Sequence, residues 1–235
     1  AGDVLDAYYT AFKIPDLLYL LLISGALSVG LIPVLAKIYK TEDKSPTWKL
    51  ISNIINLSGI ILFFSTAILI IITPYLMPMV APGFSGEKMK LTITLTRIMF
   101  LSPLFLSFSA IVGGVLQTLK QFFIYSLSPI FYNLGIIIGA TVLVPMMGNI
   151  GLAWGVVLGA ILHLAVQLPS FFKTGFHYQA ILNLKDVNLR QIFKLMIPRV
   201  LALSALQINL VFITAIASTL AVGSVAIFNY ANNLQ

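Results

Sequence analysis

Three ionisable residues lie inside the first apolar stretch of the sequence. Lys13 and Asp16 are three residues apart, so they share one face of a helix, and Asp6 lies on roughly the same face. A charged side chain within a bilayer is costly unless it meets a partner or water. The spacing therefore permits two interpretations: a self-neutralising cluster that closes the structure, or a polar stripe facing a substrate cavity.

Other polar residues within apolar stretches are also candidates. Arg97 either extends to the membrane surface or contacts an anion in a cavity. His163 could relay protons, but a hydrogen bond to a neighbouring helix is the simpler expectation. The amides near the end are expected to bond between helices or to line a cavity; they are Gln207, Asn209, Asn229, Asn232 and Asn233.

The composition indicates the elements that must position these residues. Of the 235 residues, 59% are hydrophobic and only 9% are charged, whereas soluble domains have about 25% charged residues. Soluble, disordered and fibrous proteins are thereby excluded. Six apolar runs are long enough to cross a bilayer, and a seventh begins near Gly223; the six lie at about residues 4–39, 50–73, 90–118, 122–144, 150–172 and 199–220. The fold class is therefore all-α, a polytopic helical membrane protein.

The first run is too long for one straight crossing, since about 36 residues of helix would extend about 54 Å. It must tilt, project or break, and Pro15 and Pro33 are the expected break points. Two later runs carry glycines at four-residue spacing that would let helix backbones approach closely; they are Gly135, Gly139, Gly151, Gly155 and Gly159.

Basic residues predict the orientation. The segments 37–49 and 173–199 and the turn at Lys120 hold most of the lysines and arginines, and the alternate loops hold only Lys88 and Lys90. The basic side should be cytoplasmic, which places residue 1 on the opposite side. Both ends of the chain resemble cut ends, so we expect a fragment in which one helix precedes Ala1.

Enzymatic chemistry has no support in the sequence. There are no cysteines, and neither metal-ligand spacing nor a phosphate-binding loop is present. We therefore expect no enzyme, no cofactor and no metal site. The net charge of +7 does not predict nucleic-acid binding, because the basic residues lie in short loops between apolar runs.

Several motifs, in order along the whole chain, resemble the MurJ/MviN family of lipid II flippases. The first is DAYYTAFKIPDLL at 6–18, continued by GALS at 25–28 and IPVL at 32–35. The later ones are APGF at 81–84, LTRIM at 95–99, SPIFYNLG at 128–135, GLAWG at 151–155, PR at 198–199, QIN at 207–209 and NYANNLQ at 229–235.

This resemblance implies part of a MATE-like transporter fold with two lobes. Residues 1–173 would form the first lobe without its first helix, 174–198 a cytoplasmic linker, and 199–235 the start of the second lobe. The implied function is lipid II flipping by alternating access in the bacterial inner membrane. The implied partners are a lipid-linked substrate with a diphosphate headgroup, membrane lipids and cell-wall synthesis proteins, without nucleic acid.

The predicted substrate-binding residues are Asp6, Lys13, Asp16, Arg97, Asn232 and Asn233. The chain departs from the family where a pair of arginines is usual, because it has Tyr19 and Leu20, and Ser24 replaces a usual glutamate. Arginine suits a diphosphate through its bidentate fork. Two alternatives therefore stay open: an exporter of small molecules or other lipid-linked polysaccharides from the same superfamily, and a non-transporting membrane scaffold.

Overall fold

The computed structural model describes residues 2–20, 30–39 and 43–232. Every regular element in these ranges is helical and no strand occurs among them, which confirms the all-α prediction. The helices are α1 Gly2–Ala11, α2 Lys13–Tyr19, α3 Ile32–Ile38, α4 Ser45–Val80, α5 Gly86–Met99, α6 Ser102–Thr118, α7 Phe122–Ile138, α8 Val144–Met147, α9 Ile150–Ala165, α10 Leu168–Phe172, α11 Val187–Ser218 and α12 Ser224–Asn232. A π-helical turn, Gly139–Leu143, joins α7 to α8.

Five helical stretches in the described ranges are long and apolar enough to cross a membrane. They are Ser45–Val80, Gly86–Thr118, Phe122–Met147, Ile150–Phe172 and Val187–Ser218. These stretches correspond to the second to sixth apolar runs, and part of the first run lies outside the described residues. The chain is therefore a multi-pass membrane protein.

The first run is interrupted close to its first proline. The helix breaks at Phe12, between α1 and α2, three residues before Pro15. Pro15 has no backbone N–H to donate to Ala11, so continuing the helix here would lose a hydrogen bond. The predicted break near Pro15 is confirmed. Pro33 lies in the first turn of α3, and the residues preceding that helix, 21–29, are outside the described ranges.

The helix α11 begins much earlier than the apolar run at 199–220 suggests. Asp186 caps its first turn, since the carboxylate accepts a hydrogen bond from the backbone N–H of Leu189 at 3.0 Å. Arg190 and Lys194 make these first turns polar, so hydropathy alone does not reveal them as helix.

The glycines of α7 and α9 meet as predicted. A Cβ atom on Gly135 would lie 2.3 Å from the Cα of Gly159, and one on Gly139 would lie 2.4 Å from the Cα of Gly155. Such distances leave no room for any side chain. The two helices therefore pack backbone against backbone, as small-residue motifs do in lipid.

The turns predicted to lie outside the cytoplasm come together at one end of the molecule. Asp3, Gly83, Asn149 and Leu220 line one cavity there, with a volume of about 530 Å³. At the other end Trp48, Leu119 and Phe176 belong to one hydrophobic cluster. This grouping agrees with the topology inferred from the basic loops.

An irregular segment, residues 173–186, connects α10 to α11 and lies along α4. Three polar residues of α4 hold its backbone, and we call them the linker-binding face: Ser52, Asn53 and Asn56. Asn53 both donates to the carbonyl and accepts from the N–H of Asn183, each at 2.8 Å. Asn56 donates to the carbonyl of Ile181 at 2.8 Å. The segment is thus fixed to the part of the chain that precedes it.

Candidate transport site at the junction of α1, α2 and α12

Asp6 is the most completely bonded charge in the described part of the chain. It is 1% exposed. One carboxylate oxygen accepts from Lys88 Nζ and from the backbone N–H of Gly223, both at 2.8 Å. The other oxygen accepts from the N–H of Ala226 at 3.0 Å. Asp6 therefore joins α1 to α5 and to the beginning of α12.

The beginning of α12 needs this carboxylate because its own sequence supplies no cap. Gly223, which precedes the helix, has no side chain, and its φ of +94° suits glycine. The first backbone N–H groups of a helix have no partner within it and carry a partial positive charge. Asp6 occupies the place of the missing N-cap side chain, although it lies more than two hundred residues away in sequence.

Lys88 neutralises Asp6 and also reaches a second carboxylate. Its ammonium lies 2.9 Å from a carboxylate oxygen of Asp3 and 4.1 Å from the centre of the Phe84 ring. The Asp3 side chain is 61% exposed, so the pair with Asp6 is the buried one. Lys88 lies in the first turn of α5, and the sequence contains no local signal that it would face Asp6.

Lys13 makes the second contact with α12. It is 7% exposed, and its ammonium donates to the side-chain oxygen of Asn229 at 3.0 Å. Nearby, α1 also contacts α12, because the rings of Tyr9 and Tyr230 meet edge to face at 5.7 Å between centroids. Asn229 was expected to bond between helices, and it does so.

Asp16 differs from the other two charges. Its side chain is exposed, and within residues 2–20, 30–39 and 43–232 its carboxylate has neither a hydrogen bond nor an ion pair. The three charges therefore do not pair only with one another, because Asp6 pairs with Lys88 and Lys13 donates to Asn229.

Arg97 is placed on the surface by a proline in the neighbouring helix. Its side chain is exposed, and its Nε donates to the carbonyl of Ile70 at 3.1 Å. In a regular helix that carbonyl would accept from residue 74, but Pro74 has no N–H. Arg97 thus satisfies a carbonyl that α4 cannot satisfy by itself.

The remaining polar residues singled out in the sequence lie outside these contacts. Asn232 is exposed at the end of α12, and Asn233 lies outside the described residues. His163 bonds to the neighbouring helix as expected, because its Nδ1 lies 2.7 Å from the hydroxyl of Ser109. Tyr132 packs edge to face on the imidazole, with 6.3 Å between ring centres.

A third contact closes the same end of the molecule. The N–H of Gly83, in the turn between α4 and α5, donates to the hydroxyl of Ser218 at the end of α11 at 3.1 Å. A Cβ atom on Gly83 would lie 2.0 Å from the Ser218 carbonyl oxygen, so only glycine permits this approach. We refer to these contacts together as the outer junction; they involve Asp6, Lys13, Gly83, Lys88, Ser218 and Asn229.

The outer junction can hold two parts of the chain together reversibly. Its bonds are polar and directional. Each one is kept only if α11 and α12 hold their positions along and around their own axes relative to the preceding helices. Within the described ranges no group of acidic, histidine or cysteine side chains could hold a metal ion.

Comparison with solved structures identifies the class of protein. The chain superimposes on an inward-facing multidrug resistance MATE family transporter of the MOP superfamily with a TM-score of 0.73 at 17% identity, covering 97% of this chain and 55% of that one. It superimposes on a structure titled lipid II flippase MurJ, inward closed conformation, with a TM-score of 0.81 at 26% identity, covering 99% and 48%. The fold is that of MATE-like membrane transporters.

Sequence comparison then identifies the family. The sequence model described as lipid II flippase MurJ matches residues 1–235, and the chain belongs to this family of the bacterial inner membrane. It is 31% identical to lipid II flippase MurJ of Burkholderia cenocepacia over 100% of this chain and 47% of that protein. It is 33% identical to a probable lipid II flippase MurJ of Buchnera aphidicola subsp. Schizaphis graminum over 97% and 45%. The chain spans about half the length of these curated relatives.

Proposed function

We propose that the complete protein containing this chain is a lipid II flippase that works by alternating access. The observation that carries the proposal is the bonding of Asp6, which ties α1 and α5 to the beginning of α12. In the proposed division, residues 1–173 form the first lobe, 174–198 a linker and 199–235 the start of the second lobe. The outer junction then joins the two lobes on the non-cytoplasmic side.

In this mechanism the outer junction closes the path to the outer leaflet while the headgroup enters from the cytoplasm. Opening requires Asp6 and Lys13 to leave their partners on α12, which exposes polar groups that water or the headgroup must then satisfy. Lipid II would supply that differential interaction, because only a ligand that contacts the two states differently can shift their balance. The cycle moves a lipid across the membrane without covalent chemistry.

The proposed headgroup contacts are predicted residues that are exposed or that leave their partners when the junction rearranges. Asp16 is exposed already, and Lys13 becomes free when it leaves Asn229. Arg97, Asn232 and Asn233 complete the proposed set. Tyr19 and Leu20 stand where the family usually has arginines, so we expect Lys13 to provide the main contact with the diphosphate from this half of the protein.

A depletion-rescue experiment with the complete protein tests this proposal. Cells depleted of their own flippase receive variants, and lipid II translocation is measured directly. We expect Asp6→Ala to lower translocation by about tenfold or more, since removing one partner of a buried charge pair costs about 3–5 kcal/mol. Lys13→Ala should have a similar effect, because it removes the proposed contact with the diphosphate. Glu87→Gln is the matched control, because Glu87 is an exposed acid at the same end whose partner Lys90 is also exposed.

The alternatives give different outcomes. Full translocation by both Asp6→Ala and Lys13→Ala would show that the assigned site is wrong. Drug sensitivity without a cell-wall defect on loss of the protein would indicate an exporter of small molecules. A cell-wall defect caused by substitutions between Lys37 and Lys49, with silent substitutions at the junction, would indicate a scaffold.

A further inference from the structure

An apolar cleft lies at the opposite end of the molecule from the outer junction. It has a volume of about 380 Å³ and is formed by α4, α6, the end of α9, α10 and the connecting segment 173–186. Its walls are aliphatic and aromatic, and they include Ile55, Phe108, Val112, Leu164, Phe172 and Tyr178. None of its lining residues belongs to α1, α2, α11 or α12, so this cleft is separate from the outer junction.

The connecting segment builds one wall of the cleft and is held in place. The Tyr178 hydroxyl donates to the side-chain oxygen of Asn56 at 2.7 Å, and the N–H of Gln179 donates to the hydroxyl of Ser52 at 3.1 Å. Phe176 packs against the rings of Trp48 and Phe171, at 5.8 and 4.7 Å between centroids. Because these contacts fix both aromatic residues of the wall, the cleft is preformed.

The cleft is open at the surface of the molecule. Phe172 and Tyr178 line it and are each 60% exposed. The basic segment that forms one wall is cytoplasmic by charge, so we infer that the opening lies at the level of the inner leaflet. The apolar ligands abundant at that depth are the hydrocarbon chains of lipids, and the cavity is within the usual range for small-ligand sites, about 300–1,000 Å³.

A lysine and a histidine lie next in sequence to residues that line the opening. Lys173 directly follows Phe172 and is exposed, and His177, also exposed, directly precedes Tyr178. The cytoplasmic leaflet is rich in anionic headgroups, which attract exposed lysines near the surface. An apolar slot with a lysine at its rim matches a molecule that has a hydrocarbon chain and an anionic head.

We propose that this cleft binds one acyl chain of an anionic phospholipid from the inner leaflet, with the phosphate group near Lys173. Both the phospholipid and a polyprenyl-linked substrate combine a hydrocarbon chain with a phosphate. The cleft favours the phospholipid because its walls contain no residue of the elements that form the outer junction. The bound lipid fills the space between α4, α6 and α10 and stabilises the connecting segment against α4.

Photolabelling of the complete protein in nanodiscs tests this assignment. Three probes with a diazirine in the hydrocarbon chain are used separately: a zwitterionic phospholipid, an anionic phospholipid and a polyprenyl phosphate. We expect the anionic phospholipid to label peptides that contain Phe108, Phe172 or Tyr178. Lys173→Gln should reduce the preference for the anionic over the zwitterionic probe by about fivefold, and Lys185→Gln, at an exposed lysine of the same segment, should leave it unchanged.

A second variant tests the cleft itself. Leu164→Trp should fill the slot and remove most of the labelling, whereas Ile137→Trp, on the exposed face of α7, should not. If Leu164→Trp does not fold, the proposal is tested by the difference between Lys173→Gln and Lys185→Gln in their preference for the anionic probe. Labelling that is equal across exposed helix faces, or that comes from the polyprenyl probe alone, would overturn the proposal.

Discussion

The buried carboxylate of Asp6 is tolerated in the membrane because each of its two oxygens accepts at least one hydrogen bond. An ionised group removed from water is unfavourable by many kcal/mol unless it is paired and hydrogen-bonded. Lys88 supplies the opposite charge, and the backbone of α12 supplies two further donors. Asp6 was predicted to bind substrate. In this conformation it instead holds α1, α5 and α12 together.

Arg97 likewise has a specific partner, and a double-mutant cycle can measure the interaction. Arg97→Leu leaves the Ile70 carbonyl without a donor, so we expect a loss of about 1–2 kcal/mol in the free energy of unfolding. Pro74→Ala restores a backbone N–H to that carbonyl. In the Pro74→Ala background, Arg97→Leu should therefore cost about 1 kcal/mol less. Unfolding of the four proteins in detergent or bicelles gives this coupling free energy.

Lys90 provides the comparison for this cycle. It is an exposed cation on the same helix, paired only with Glu87 among the described residues. Lys90→Leu should show no coupling to Pro74→Ala. Equal costs for Arg97→Leu in both backgrounds would mean that the contact with Ile70 contributes nothing to stability.

At the scale of elements, the α7–α9 pair depends on its glycines more than on apolar contact. Gly155→Leu places a side chain where a Cβ atom would already lie 2.5 Å from the Cα of Gly139. The two helices must separate, and lipid supplies no hydrophobic force to bring them together again. We expect a loss of about 1–3 kcal/mol in the free energy of unfolding, measured by the same unfolding assay.

An apolar substitution elsewhere on α9 distinguishes close approach from general sensitivity. Ile161 is 39% exposed, so Ile161→Leu should change stability little. A similar loss from Ile161→Leu, or no loss from Gly155→Leu, would contradict the role assigned to the glycines.

At the scale of the whole molecule, the connecting segment and the outer junction should behave differently during transport. The segment 173–186 is bonded to α4, so it should stay with α4, whereas α12 should leave α1. The chain contains no cysteine, which permits tests with introduced pairs. We expect Asn53→Cys with Asn183→Cys, joined by a short bis-thiol reagent, to leave lipid II translocation unchanged. Tyr9→Cys with Tyr230→Cys, joined in the same way, should abolish it.

Single-cysteine variants, treated with the same reagent, show the effect of chemical modification without a cross-link. If the reagent is cleavable, translocation should recover after reduction. Loss of translocation with the 53–183 pair would show that the segment must leave α4 during the cycle. Retained translocation with the joined 9–230 pair would show that α1 and α12 need not separate.

The sequence by itself determined the membrane class, the number of long apolar runs, the break near Pro15 and the glycine contact of α7 with α9. These features follow from local sequence. Crossing lipid requires long apolar helices, and glycines spaced four residues apart give a helix one face without side chains. The extent of α11 was underestimated because its first turns are polar.

Only the tertiary structure decided the partners of the charges. Asp6, Lys13 and Asp16 share a helical face in the sequence, yet Asp6 pairs with Lys88 and Lys13 bonds to Asn229. The Asp16 carboxylate has no hydrogen bond or ion pair among the described residues. Those partners depend on the depth and rotation at which distant helices pack, and spacing along one helix contains no information about either. The same holds for Arg97, whose partner is a carbonyl left free by a proline in another helix.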